Sequence, residues 1–153
     1  MSRGEAQGSD GSARFGSGVR SRPWRVLLVD DDAESREMYA ECLTEFEVCQ
    51  AENGAVAIGA ALQSKPDVII MDLQMPVMDG LEAIARLKAD ERTQGIPIAV
   101  LSGNSVAEHA KAKRAGCAVC LVKPCCPEEL ANVIRALADP CSLELPPRGS
   151  VRG

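Results

Sequence analysis

Aromatic side chains are scarce: one Trp, one Tyr and two Phe make up 3% of the 153 residues. A core built on stacked rings is therefore excluded. It must be aliphatic, packed from Val, Ile, Leu and Ala, and hydrophobic residues at 46% suffice for one domain. Long apolar runs are also missing. Stretches such as "VLLV" and "VII" fall far short of the roughly 20 residues that a membrane helix needs. The N-terminus lacks the apolar h-region of an export signal. Positive charge is in deficit, with a formal net charge of −5 and basic residues scattered rather than massed. Neither nucleic acid nor a membrane is expected as a partner. Histidine is represented once, by His109 in the polar run "AEHAKAK", which reads as a solvated surface. Seven cysteines are present, but an odd number at irregular spacing does not suggest a secreted disulfide framework. A reducing cytoplasm is the expected compartment.

What is there has an alternating pattern. Residues 1–23 are rich in Gly, Ser and Arg and are expected to form a disordered tail. Residues 139–153, punctuated by Pro and Gly, are expected to form a flexible one. Between them, residues 24–138 read as one domain. "RVLLV", "EVCQA", "DVIIM", "IPIAVL" and "CAVCLV" read as strands. Each is followed by a helical pattern, ending in "PEELANVIRAL" with Pro127 at its first position. In the first of these, "AESREMYAECLTEF", Met38, Cys42 and Phe46 recur four apart, with Leu43 adjacent, and are expected to share one buried face. Strands alternating with helices predict an α/β fold: a doubly wound, five-stranded parallel sheet, flavodoxin-like in its order 2-1-3-4-5.

The polar residues fall just after the strands. Strand 1 ends in Asp30, Asp31 and Asp32, strand 3 in Asp72, strand 4 in Ser102 and strand 5 in Lys123. In a parallel sheet these positions share the carboxyl edge, where open α/β folds bind ligands. Carboxylates converging there need a raised pKa or a cation, and an open all-oxygen site suits Mg²⁺. Asp72 can then attack phosphorus as a nucleophile. Lys123 and the Ser102 hydroxyl can neutralise and hydrogen-bond the transferred group. A strand-end acid can equally be a simple helix cap; the joint arrival of these residues at one edge carries the chemical reading.

"VLLVDDD", "DVIIMDLQMPVMDGLEAIARLK", "IPIAVLSG" and "CLVKP" resemble, in order and spacing, the receiver domain of bacterial two-component response regulators, in its stand-alone, chemotaxis-regulator-like form. The resemblance implies a signalling phosphoacceptor that catalyses its own phosphorylation and a slow autodephosphorylation. It implies phosphoryl transfer to Asp72 from a sensor histidine kinase or a phosphotransfer protein, with a downstream protein sensing the result. It implies Mg²⁺ held by Asp31, Asp72 and the main-chain carbonyl of Gln74, with Asp30 assisting, and contacts from Ser102 and Lys123 to the phosphoryl group. Two positions depart from the family. Cys120 stands where an aromatic residue usually swings with the hydroxyl residue, and the stretch from Ser102 to Gly116 is slightly short. As a switch element beside Ser102, Cys120 is expected to move the strand 5 surface less than a ring would.

Other readings compete. The same fold could serve as a phosphate-independent scaffold. A dehalogenase-type phosphatase would want a second acid two residues after the nucleophile, where this chain has Gln74. Cys117 and Cys120, three apart on one expected strand, should point to opposite faces and so not chelate together. Cys42, Cys49, Cys117 and Cys125 read as core packing, while Cys126, just before Pro127, stands at an N-cap position, where a helix N-terminus lowers a thiol's pKa.

Overall fold

The computed structural model describes residues 22–75, 77–103 and 106–139. The expected tails lie outside these, apart from Arg22, Pro23 and Asp139. The chain alternates without interruption: β1 (Arg25–Val29), α1 (Ala33–Cys42), β2 (Glu47–Ala51), α2 (Gly54–Ser64), β3 (Val68–Met71), α3 (Gly80–Ala89), β4 (Ile98–Ser102), α4 (Val106–Ala115), β5 (Val119–Val122) and α5 (Pro127–Ala138). All strand pairs are parallel, and the sheet order is β2-β1-β3-β4-β5. This is the expected order 2-1-3-4-5.

The central strands are apolar throughout because both sheet faces are covered. Alternation along each strand divides the core in two. Leu27, Val29, Ile69, Met71, Ile98 and Val100 pack on α2, α3 and α4. Val26, Leu28, Val68, Ile70, Ala99 and Leu101 pack on α1 and α5. Burying each large aliphatic side chain contributes about 1.5–3 kcal/mol. No helix among the described residues is long and apolar enough to cross a membrane.

Three helices start at residues whose side chains cap them. Asn53 and Asp79 accept hydrogen bonds from the main-chain N–H groups of Val56 and Glu82. The Cys126 thiol caps α5 by accepting from Glu129, with Pro127 in the first turn. At Gly80 the first residue of α3 is pressed against the tip of β3. A Cβ there would stand 2.2 Å from the Asp72 carbonyl oxygen and 2.8 Å from Leu73 Cα.

Two details differ from the sequence reading. α1 stops at Cys42, so Phe46 lies beyond it, and Met38 and Cys42 are exposed. The buried stripe is Tyr39, Leu43 and Phe46 instead. β5 begins at Val119, two residues later than the apolar pattern suggests, which leaves Cys117 in the preceding turn. That turn needs Gly116, whose φ of +121° is closed to ordinary side chains.

Candidate functional site

β1 and β3 are neighbours in register, so their ends lie side by side. The Asp72 N–H donates to the Val29 carbonyl at 3.0 Å, which fixes the tip of β3 beside that of β1. Asp30, Asp31 and Asp72 each present a carboxylate oxygen, all within 4.8 Å of one another. Asp30 and Asp72 are buried at 4% and 8% exposure, while Asp31 faces solvent. Burial without a partner would neutralise such acids. Lys123 answers part of the charge, its ammonium lying 3.3 Å from Asp30 Oδ2 and 3.6 Å from Asp72 Oδ2.

The balance still leaves excess negative charge. Burial pushes the Asp72 carboxyl up to about 6; Asp30 and Asp31 add to this, while Lys123 and the Gln74 N–H oppose it. Burial works to lower the Lys123 pKa, but Asp72 and Asp30 outweigh it and hold the ammonium above its ordinary value. A hard, oxygen-preferring cation fits this donor set: three convergent carboxylates, two of them buried, with one ammonium for compensation.

Ser102 closes β4 at 2% exposure, and its carbonyl accepts from the Lys123 N–H at 2.7 Å, tying the ends of β4 and β5 together. The structure therefore gathers Asp30, Asp31, Asp72, Ser102 and Lys123 at one sheet edge. Gln74 follows on the β3–α3 loop, its side chain exposed and donating to Glu108 of α4 at 3.0 Å. Cys120 is not part of this edge. It is half-buried against α4, with Sγ 3.7 Å from the His109 carbonyl. The side chain of His109 is less solvated than its polar surroundings suggest: it is half-buried, with Nε2 3.1 Å from the carbonyl of Gly103, the residue after Ser102.

Two supporting residues escape a reading of the sequence. Arg36 reaches back from α1 to the Asp30 carbonyl at 2.7 Å and so braces the first acidic loop. Tyr39, buried on α1, donates to the Cys125 carbonyl at 2.7 Å and holds the segment just past Lys123. Arg36 follows the acidic run by one helical turn, which is a weak signal. The partner of Tyr39 is 86 residues away and leaves none.

The sequence model of the response regulator receiver domain matches residues 26–135. Over 116 residues the chain is 37% identical to the transcriptional regulatory protein PrrA of Mycobacterium tuberculosis, covering 74% of this chain and 49% of that one. It is 33% identical over 116 residues to protein PilH of Pseudomonas aeruginosa, covering 74% of this chain and 96% of that one. The chain thus spans about half the length of PrrA and nearly all of PilH. Its fold matches that of the Vibrio cholerae chemotaxis protein CheY4 with a TM-score of 0.71 at 32% identity, covering 75% of this chain and 98% of that one. It matches the response regulator domain of Thermotoga maritima CheB with a TM-score of 0.69 at 29% identity, covering 78% and 100% of the two chains.

Proposed function

The chain belongs to the response regulator receiver family, the phosphorylatable domains of two-component signalling, and on that premise we propose that Asp72 accepts a phosphoryl group from a phosphohistidine. The donor is a sensor histidine kinase or a phosphotransfer protein, and the outcome is altered binding of a downstream protein. The observation that carries this reading is the convergence of Asp30, Asp31 and Asp72 within 4.8 Å, with the Lys123 ammonium 3.6 Å from Asp72.

An Asp72 carboxylate oxygen forms the new O–P bond as the N–P bond of the donor breaks and the imidazole departs. The Gln74 N–H, which favours the ionised form of that carboxylate, orients the attacking group. Lys123 offsets the charge on the transferred oxygens, and the Ser102 hydroxyl donates to one of them. Mg²⁺, held by Asp30, Asp31, Asp72 and the main-chain carbonyl of Gln74, would supply the positive charge that lets an anionic donor approach these acids. Engagement of Ser102 pulls on Gly103, and the His109 contact passes that movement to α4. Cys120, lying beneath His109, has no ring to reposition, so the response centres on α4 rather than on the surface of β5. The net charge of −5 gives this chain no electrostatic footprint for nucleic acid.

Intact-mass spectrometry after incubation with acetyl phosphate and Mg²⁺ tests the assignment. The native chain should gain one phosphoryl group, and Asp72→Asn should gain none. Full labelling of the variant would remove Asp72 from its role.

A further inference from the structure

The two-residue period of a strand would set Cys117 and Cys120 on opposite faces, yet their sulfurs lie 3.6 Å apart. The cause is the late start of β5. Gly116 turns the chain, the Cys117 N–H returns to the Ala112 carbonyl at 3.1 Å, and Ala118 donates to Ile98 at 2.7 Å. Cys117 is thereby folded back over the first residues of the strand, so that both thiols meet under α4.

We propose that Cys117 and Cys120 form a peroxide-oxidisable dithiol that closes to an intramolecular disulfide. Sulfurs in van der Waals contact need to approach by only about 1.5 Å to reach the bonded distance of about 2.05 Å. The two positions differ in access: Cys117 is buried at 7% exposure, whereas Cys120 is half-buried. Burial and the neighbouring Cys120 thiol push the Cys117 pKa up to about 12, so it remains a protonated thiol. Cys120 is therefore the sulfur that meets the oxidant. In the first step the Cys120 thiol gives up its proton and its sulfur attacks hydrogen peroxide, the O–O bond breaks, and the hydroxide released takes up a proton as one water, leaving a sulfenic acid. In the second, the Cys117 sulfur displaces hydroxide from the sulfenic sulfur, the S–S bond forms, and the thiol proton leaves with that hydroxide as a second water. Two thiols and one peroxide thus give one disulfide and two waters. Lys113 and Lys88 lie close enough to Cys117 to favour its anion as the proton departs.

Closure has a structural consequence that involves no residue of the acidic site. The Cys120 sulfur now lies 3.7 Å from the His109 carbonyl of α4. Drawn to Cys117, it leaves that contact, so oxidation and phosphorylation both act on α4 at His109, one through its main-chain carbonyl and the other through its ring.

The test uses the full reduced chain treated with hydrogen peroxide. Free thiols are blocked with N-ethylmaleimide, disulfides are reduced, and the thiols so released are alkylated with iodoacetamide. Peptide mass spectrometry should find the second label on Cys117 and Cys120 together. Unreduced digests should show the two linked within one peptide. Cys117→Ser should instead send Cys120 on to sulfinic and sulfonic acids that dithiothreitol does not reverse. Cys120 sulfinic acid in the native chain beside a reduced Cys117, a link from either residue to a different cysteine, or both thiols intact while Cys126 is oxidised would each overturn the proposal.

Discussion

In the absence of divalent cations the protein should lose stability as pH rises from about 4 to about 6, the reverse of the usual behaviour of a carboxylate. The cause is Asp72, whose pKa is raised from 3.8 to about 6 by burial, with Asp30 and Asp31 adding to the effect. Across that window the folded chain keeps a proton that the unfolded chain has released. The contribution is fully present below pH 3.8 and lost once pH passes about 6. At neutral pH the ionised carboxylate therefore costs the metal-free fold about 3 kcal/mol, the free-energy equivalent of the gap between the two pKa values. Asp72→Asn removes the charge and keeps the shape, and Lys123 retains Asp30 at 3.3 Å. Urea unfolding in EDTA, followed by the fluorescence of Trp24 and by circular dichroism, gives the stability of both proteins at each pH. Carboxylates outside this cluster are untouched by the substitution, so the difference between the curves reports Asp72 together with its coupling to Asp30 and Asp31. The variant should be the more stable at pH 7 by up to about 3 kcal/mol, with the gap closing toward pH 4. Mg²⁺ at about 100 times its dissociation constant should return about 2.7 kcal/mol to the native chain. Parallel curves in EDTA, or a variant no more stable than the native chain at pH 7, would refute the account of the site as charge-frustrated.

Asp31→Ala should weaken Mg²⁺ binding at least about tenfold, or roughly 1.4 kcal/mol, by isothermal titration; equal affinities would displace Asp31 from the metal site. Tyr39→Phe strands the Cys125 carbonyl and should lower stability by about 0.5–1.5 kcal/mol while slowing phosphorylation; an unchanged denaturation midpoint would mean the bond contributes nothing. Lys123→Met removes the ammonium facing Asp30 and Asp72, so the pKa of Asp72 should rise further, as read from carboxyl NMR titration. A pKa at or below that of the native chain would contradict the charge balance described above.

The fold was legible because its strands are buried on both faces and so read as unbroken apolar runs. The acidic edge was legible for a related reason: a parallel sheet sends every strand end to one side, and Asp30, Asp72, Ser102 and Lys123 needed only their strands to be located. The errors have physical causes. Met38, Cys42 and Phe46 share a helical period only if α1 runs on to Phe46, and it stops at Cys42. Cys117 and Cys120 alternate only if β5 starts at Cys117, and it starts at Val119. The contacts from Tyr39 to Cys125 and from His109 to Gly103 depend on tertiary packing, to which local pattern is blind.

The close approach at Gly80 also bears on how this region can vary. The carbonyl oxygen of Asp72 occupies the space a side chain at Gly80 would need, 2.2 Å from any Cβ. Under saturation mutagenesis with signalling as the readout, two positions in this loop should therefore be intolerant for unrelated reasons. Asp72 would fail as the proposed acceptor, whereas Gly80 has no reactive group and would fail by displacing the backbone of Asp72. A tolerance profile alone would assign both to catalysis. A parallel screen on folded abundance would separate them, because replacements at Gly80 should deplete the protein while Asp72→Asn leaves it in place. The Asp-Gly pair that begins α3 is thus a spatial constraint on the acceptor, imposed from the next helix.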